Sequence, residues 1–323
     1  MNVLVTGGSG FIGYRLVSEL LAKGHRVSIL DKVQSTRYPE LCRIGDVRDP
    51  VAVDAAVRGI DLVYHLAAEH RDDVRPISLY YEVNVEGTRK LTEACSVHGV
   101  SRIVFTSSVA VYGLNAGSTS EKSPANPFND YGKSKFQAEE VLRQWSGKNP
   151  GVSLTIIRPS VVFGEGNRGN VYNLVKQIAS GRFMMVGSGT NLKSMAYVGN
   201  VAAFLVFAGE ADQCGTRIIN YADKPDLSMN KLVGIVRGFI GKSQDSLIRI
   251  PYGVGMAGGA CFDMVSALTR MSFPISRVRV KKFCADTSIS VDALMETGFS
   301  PPYPLDKGME LFLAHEFPAM NWM

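Results

Sequence analysis

Asn2-Val-Leu-Val-Thr-Gly-Gly-Ser-Gly-Phe-Ile-Gly13 is the stretch on which the fold turns. Residues 2–6 read as a buried strand, and the glycine run opens a helical pattern that lasts to about Gly24. Residues 26–30 read as a second strand, which ends at Asp31. Gly7, Gly10 and Gly13 let the backbone approach a pyrophosphate and aim a helix N-terminus at it, with Phe11 and Ile12 in the same turn. Asp31 stands about twenty residues on, where a carboxylate accepts hydrogen bonds from an adenosine ribose. It would repel a 2′-phosphate, which favours NAD over NADP; Lys32 beside it works against that preference.

Further strand–helix units follow. Cys42–Asp46 reads as a short strand, with Asp46 and Val47 placed for the adenine ring. Asp46 can also cap a helix at 46–51, and the two roles are compatible. Residues 60–66 form a strand that runs into His65-Leu-Ala-Ala68. Leu66, Ala67 and Ala68 would pass close to the cofactor, and His65 reads as a structural polar residue. Residues 78–97 read as one long helix with Asn84 near its middle, either a cofactor contact, a solvated residue or a helix–helix hydrogen bond. Strands at 101–107 and 153–158 complete a parallel sheet with right-handed crossovers.

The pattern changes from about Pro159 onward. Residues 169–181 fit a helix, 183–186 a strand and 187–190 a turn. A helix at 197–209 and a strand at 217–221 rejoin the first sheet; helices follow near 228–240 and 254–270, and a last element spans 291–316. The expected fold is α/β, an NAD-binding Rossmann-like parallel sheet with a smaller interleaved α/β substrate domain. Residues 1–158, with 197–222 returning, form the first unit, and 159–196 with 223–323 form the second. Substrate would lie between them.

Composition narrows the function. The chain has 323 residues, 46% hydrophobic and 20% charged, enough for a large core in one or two domains. A net charge of +5 is too modest to argue for nucleic acid. Arg277, Arg279, Lys281 and Lys282 form the dense basic run, read as a solvated strand face or loop, or as a contact for a phosphorylated ligand or anionic surface. The five cysteines show neither metal-ligand spacing nor a paired framework, as expected of reduced thiols in a cytoplasmic protein. The chain opens directly on a strand, without a signal-peptide pattern, and no uninterrupted apolar run reaches transmembrane length. Within 251–273 the run 251–268 is apolar, interrupted by Asp263, and basic residues follow at 270, 277, 279, 281 and 282. This is either a buried helix of the second unit or a face resting peripherally on the inner membrane. The Met-rich, aromatic tail at 317–323 is compatible with either.

The chemistry lies in Asp130-Tyr-Gly-Lys-Ser-Lys135. Tyr131 and Lys135, four apart, share a helix face. A free tyrosine titrates near 10, and a nearby ammonium favours the phenolate. Lys135 can also bond the nicotinamide ribose, while Tyr131 exchanges a hydroxyl proton during hydride transfer. Ser107 and Ser108 end the strand leading to this crevice. Ser108 is the candidate to bond the reacting oxygen, and Ser107 a structural or cofactor contact. Glu69-His-Arg-Asp-Asp73 follows another strand end, as a crevice lining or a solvated loop; Arg71 is its candidate for a substrate phosphate.

Thr6-Gly-Gly-Ser-Gly-Phe-Ile-Gly13, Thr106-Ser-Ser108, Val111-Tyr-Gly113, Tyr131-Gly-Lys-Ser-Lys135 and Arg158-Pro159 together resemble the extended short-chain dehydrogenase/reductase superfamily. Its nucleotide-sugar 4-epimerases, such as UDP-galactose 4-epimerase, hold NAD tightly, take hydride from sugar C4 and return it to the opposite face. The resemblance implies Tyr131 as base and acid, Ser108 as its helper and Lys135 as cofactor ligand, with Pro159 and Val162 among the cofactor contacts. Longer runs carry a narrower resemblance: Ala67–Asp73 with Leu79–Tyr81, Arg168–Leu174, Lys193–Asn200 and Val278–Cys284. They resemble bacterial epimerases that interconvert GlcNAc and GalNAc on polyprenyl diphosphate before O-antigen or related glycan assembly. Members of that group have also been described as UDP-GlcNAc 4-epimerases, so lipid-linked and nucleotide-linked amino sugars both stand as substrates.

Departures from the UDP-galactose enzyme point the same way. No Asn stands in Arg158-Pro-Ser-Val161, and Lys193 replaces a diphosphate-binding arginine, keeping the charge without the bidentate fork. At the sugar gate the segment reads Phe283-Cys284, and either residue could line an N-acetyl pocket. Asn173, Lys193 and Arg279 are candidates for the diphosphate or ordinary surface and capping residues. Related enzymes form homodimers, for which helices at 78–97 and 131–146 could supply the bundle. No Asp-Glu pair follows Ser107, against a sugar dehydratase; a net dehydrogenase or reductase remains the other enzyme class.

Overall fold

The computed structural model describes residues 1–71, 74–113, 119–181, 183–211, 213–243, 247–269 and 276–318, with 265–269 by backbone alone. Asp72 and Asp73, the basic Arg270 and the tail from 319 lie outside the described residues.

The strands in chain order are β1 Asn2–Thr6, β2 Arg26–Asp31, β3 Cys42–Ile44, β4 Leu62–His65, β5 Arg102–Thr106, β6 Ser153–Pro159, β7 Val161–Phe163, β8 Met185–Val186, β9 Leu192–Tyr197, β10 Gly215–Tyr221, β11 Asp223–Ser228 and β12 Arg249–Ile250. The helices are α1 Phe11–Ala22, α2 Pro50–Val57, α3 Ser78–Tyr81, α4 Gly87–His98, α5 Asp130–Lys148, α6 Asn170–Ala179, α7 Val198–Glu210, α8 Met229–Phe239, α9 Tyr252–Thr269, α10 Arg277–Cys284, α11 Asp292–Glu296 and α12 Leu305–Glu316.

A seven-stranded sheet in the order β10-β6-β5-β4-β1-β2-β3 forms the frame. Its pairings are all parallel, so both faces must be covered by helices. β1 shows the consequence within one strand. Val3 and Val5 enter the core with Leu16, Val201 and Phe204 of α1 and α7, while Leu4 enters the core with Leu91, Leu142 and Trp145 of α4 and α5. The chain leaves β1 toward β2 and β3, then crosses to β4 on the other side. That reversal opens a crevice at the carboxyl ends of β1 and β4, where doubly wound sheets bind ligands.

The smaller unit is interleaved with this frame. β7 and β9 leave it, α7 packs back on α1, β10 pairs with β6, and β11 leaves again to pair with β9. A third core joins Phe163, Met195, Leu232, Met309 and Phe312. β8 and β12 form a separate pair, so the expected strand at 183–186 is reduced to Met185–Val186 while Phe183 packs into the core.

Two expectations are corrected. The basic run at 277–282 is helical, neither strand face nor loop: Ser276 Oγ accepts from Arg279 N at 3.2 Å and caps it. The element at 291–316 is two helices, because Gly298 turns with φ 73° and prolines at 301, 302 and 304 cannot continue a helix. The long helix at 78–97 exists, with one π-helical turn at Glu82–Glu86 that holds Asn84.

Candidate active site

The glycine turn after β1 presses on the chain after β4. Gly7 has φ 74°, and a Cβ there would lie 2.7 Å from Ala67 N. A Cβ on Gly13 would lie 2.4 Å from the Gly7 carbonyl oxygen. Gly10 begins α1 and no side chain caps it, so the N–H groups of Phe11, Ile12 and Gly13 are presented as an anion site. Asp31 braces this turn, accepting from Ser9 N at 3.0 Å and Val33 N at 3.1 Å. Lys32 Nζ stands 3.8 Å from the Glu69 carboxylate.

Asp46 is engaged by Arg48, whose guanidinium donates to it at 2.8–3.1 Å. The Arg48 hydrogen bonds hold that carboxyl below its usual range. The cap expected of Asp46 belongs instead to Asp49, which accepts from Val51 N at 2.9 Å. Val47 is buried beneath Gly87.

His65 is a strut. Its Nδ1 meets Thr6 Oγ1 at 2.7 Å and its Nε2 meets Thr88 Oγ1 at 2.9 Å. Thr88 donates its own proton to the Asn84 carbonyl, so the hydrogen-bond pattern assigns the imidazole proton to Nε2. Burial, with the Lys135 charge nearby, pushes the ring down to about 3, keeping it neutral. Thr6 in turn receives Leu66 N on its carbonyl and Ala67 N on its hydroxyl.

The chemistry gathers at the start of α5. Asn129 Oδ1 accepts from Gly132 N at 2.9 Å and caps the helix. A Cβ on Gly132 would lie 2.5 Å from Ala110 O, so this first turn lies directly on the 109–112 turn. Ser108 Oγ caps that turn, accepting from Ala110 N at 3.1 Å. Ser108 and Tyr131 therefore belong to two packed turns. Asn84 is wholly engaged behind them: its amide nitrogen donates to Ser134 Oγ at 2.9 Å and Glu69 O at 3.0 Å, and its oxygen accepts from Glu69 N at 2.8 Å. Of the readings offered for Asn84, the structure shows the interhelix bond to Ser134, which is compatible with a cofactor contact. π-Helical turns often mark functional sites, and this one turns Asn84 inward.

Lys135 is 2% exposed and its Nζ lies 4.1 Å from the Phe105 ring centroid. Burial pushes its ammonium down to about 7, against the pull of Glu139 one turn on. Sequence reading missed Glu139. It is fully buried, takes Arg158 through bonds of 2.9 and 2.5 Å, and accepts from Ser107 Oγ at 2.6 Å. Arg158 also donates to Tyr112 Oη at 2.6 Å, which donates to Asn220 at 2.7 Å. The available signal was a carboxylate four residues after Lys135, on the face that the helix buries.

The remaining candidates stand in or beside the smaller unit. Arg71 is exposed and its Nε meets Glu69 at 3.2 Å. Asn173 is exposed on α6 and Arg279 on α10. Lys193 Nζ donates to the carbonyls of Lys282 at 3.0 Å and Ala285 at 2.5 Å, so it closes the C-terminal end of α10. Phe283 packs 5.9 Å from Phe183, whereas Cys284 lines a cavity of about 410 Å³ with Gly187, Asn191, Tyr252, Lys281 and Asp286. Phe283 and Cys284 thus face different surroundings. None of Ser108, Tyr131 and Lys135 lines that cavity.

The residues present fit a bound dinucleotide. Thr106 Oγ1 and Ser160 Oγ are buried without a hydrogen-bond partner, at the carboxyl end of β5 and just past Pro159 of β6. They and the glycine cradle stand along the carboxyl edge of the seven-stranded sheet, and Val162 lies on β7 of the three-stranded sheet.

Residues 3–222 match the model of the NAD dependent epimerase/dehydratase family. The chain is 54% identical over 317 residues to N-acetyl-alpha-D-glucosaminyl-diphospho-ditrans,octacis-undecaprenol 4-epimerase of Escherichia coli O157:H7, covering 98% of this chain and 95% of that protein. It is 29% identical over 243 residues to UDP-glucose 4-epimerase of Vibrio cholerae, covering 72% of this chain and 74% of that one. Among solved structures, UDP-glucose 4-epimerase of Thermus thermophilus in complex with NAD superposes with a TM-score of 0.76 at 24% identity, covering 99% of this chain and all of that one.

Proposed function

The chain belongs to the NAD-dependent epimerase/dehydratase family, and from that premise we propose that it is a 4-epimerase interconverting GlcNAc and GalNAc on undecaprenyl diphosphate. The observation that carries the substrate is the 54% identity, sustained over 98% of the chain, to the undecaprenol-linked enzyme of E. coli O157:H7. NAD, when bound, supplies the reversible hydride acceptor for sugar C4.

The chain's own residues supply the rest. Gly7, Gly10, Phe11, Ile12 and Gly13 present backbone to the pyrophosphate, Asp31 and Lys32 meet the adenosine ribose, and Asp46 and Val47 border the adenine. Leu66, Ala67, Ala68, Pro159 and Val162 wall the crevice. Tyr131 Oη takes the C4 hydroxyl proton and later returns it. The Lys135 ammonium favours the phenolate and orients the nicotinamide ribose. Ser108 Oγ bonds the C4 oxygen as its charge changes. Ser107, committed to Glu139, shapes the strand end. Proton and hydride both return, so the sugar leaves at its starting oxidation level.

Arg71, Asn173, Lys193, Arg279, Phe283 and Cys284 are assigned to the substrate side, with Lys193 acting through the end of α10. Residues 1–158 with 197–222 form the cofactor unit and the remainder the substrate unit. Among the described residues no helix is long and apolar enough to cross a membrane. We place the enzyme in the cytoplasm, peripheral to the inner membrane that carries its substrate, as a homodimer through α4 and α5.

The test is a paired donor assay with sugar analysis. Undecaprenyl-diphosphate GlcNAc should give GalNAc without NADH accumulating. Turnover of UDP-GlcNAc at an equal or higher rate would overturn the lipid preference, and stoichiometric NADH would overturn epimerisation.

A further inference from the structure

An apolar helix face lies on α9, in the smaller unit. α9 carries one charged residue, Asp263, whose carboxylate accepts from Arg277 N at 3.1 Å. A Cβ on Gly259 would lie 2.8 Å from that same nitrogen, and one on Gly255 would lie 2.5 Å from Val186 and 3.6 Å from Val280. Gly255 and Gly259, four apart, are therefore on the packed side of α9, and Asp263, exposed, bonds the start of α10 from the same side. Helical geometry puts Val254, Ala257, Cys261 and Met264 on the opposite side, at spacings of three and four. All four are exposed, Val254 by 60% and Met264 by 68%. None carries a charge.

α10 packs beside α9 and contributes the complementary feature. Of its eight residues Val280 is buried, while Arg277, Arg279, Lys281 and Lys282 are exposed and Val278 is 57% exposed. Lys282 Nζ sits 4.5 Å over the Phe128 ring. An apolar stripe without charges, beside a helix with four cations, is the pattern of an interfacial element.

We infer that α9 and α10 are the face by which the enzyme docks on an anionic lipid bilayer. The inference rests on the lipid-linked reading above and names the surface that serves it. Charge selects the occupant. A second copy would bring four cations against four cations in a chain of net charge +5, whereas an anionic headgroup layer neutralises them. The apolar stripe then enters the acyl boundary without spanning it. The 410 Å³ cavity takes Tyr252, Lys281 and Cys284 of its lining from these two helices.

The full-length enzyme is tested for flotation with phosphatidylethanolamine–phosphatidylglycerol vesicles and with phosphatidylcholine vesicles. Binding to the anionic vesicles should exceed binding to the neutral ones at least ~10-fold, and Arg277→Glu should remove about ten-fold. Val254→Glu with Met264→Glu should remove at least ~10-fold. Turnover of a water-soluble, short-chain polyprenyl diphosphate GlcNAc by that double variant should stay at the parent level, which also certifies its fold. Equal binding to both vesicle types overturns the inference, as does unchanged flotation of the double variant. An oligomer that the double variant dissociates, with no parent flotation, also overturns it and assigns the face to a second copy. If the parent turns over UDP-GlcNAc and not the short-chain lipid substrate, the lipid-linked reading fails, and flotation reports on docking separately.

Discussion

Lys135→Met should abolish turnover and yet stabilise the nucleotide-free protein. Burial pushes the Lys135 ammonium from 10.5 to about 7. At about 1.4 kcal/mol per pH unit, holding the charged form inside costs about 5 kcal/mol. Between pH 7 and 10.5 the unfolded chain binds this proton and the folded chain does not. Folding stability from this group therefore falls as pH drops through that window and is level below about 7. Methionine retains most of the stem and carries no proton. Against the gain stand the lost contact with Phe105, about 1 to 2 kcal/mol, and an imperfect fit of about 1. The net at neutral pH is about 2 kcal/mol, or about 4 °C in Tm for a chain of this size. The assay is thermal unfolding of stripped parent and variant from pH 6 to 10. The variant's advantage should shrink with rising pH, vanish at about pH 8.5 and become a deficit by pH 10. A difference independent of pH, or a variant that is less stable at pH 7, would refute the idea that this ammonium is held under strain.

Three further outcomes test the rest of the site. Tyr131→Phe should lower turnover by about 10² to 10⁴ with little change in Tm; activity within ten-fold of the parent would remove Tyr131 from proton transfer. Glu139→Gln leaves the buried Arg158 without its carboxylate and should cost about 3 to 5 kcal/mol in denaturant unfolding. A loss below about 1 kcal/mol would show that the pair is not supporting the core. Asp31→Ala frees the Ser9 and Val33 amides and should weaken NAD binding about ten-fold, read by fluorescence titration, while narrowing its preference over NADP. Unchanged selectivity would contradict the ribose assignment.

The frame was legible because its signals are local. A continuous apolar strand, a glycine turn and a helix of regular period are each written within a few residues, and β1 through β6 fell where those patterns put them. The errors arose where composition and period disagree. The run at 277–282 reads as a solvated surface because cations dominate it, but Val280 and the Ser276 cap are enough to fold it as a helix against α9. Asn84 has the sequence setting of an ordinary helical residue. Only the π turn, which no side-chain period announces, brings its amide between Glu69 and Ser134.

The proposed catalytic pair shows where local reading ends. Tyr131 and Lys135 are recognisable from their spacing, but spacing says nothing about what holds them. At the near end of α5 the holding groups are Asn129, Ala110 and Asn84, from three separate segments. One turn beyond Lys135 they are Ser107, Arg158, Tyr112 and Asn220, which converge on or behind Glu139 from the end of β5, β6, the 109–112 turn and β10. The same four-residue step that joins Tyr131 to Lys135 joins Lys135 to Glu139. A lysine inside a protein needs a counter-charge, and a counter-charge placed directly on it would quench its influence on the tyrosine. Glu139 stays one turn away because Arg158 and Ser107 occupy both its oxygens. Lys135 is thereby left short of full compensation, and that shortfall is what a phenolate and a ribose hydroxyl can satisfy.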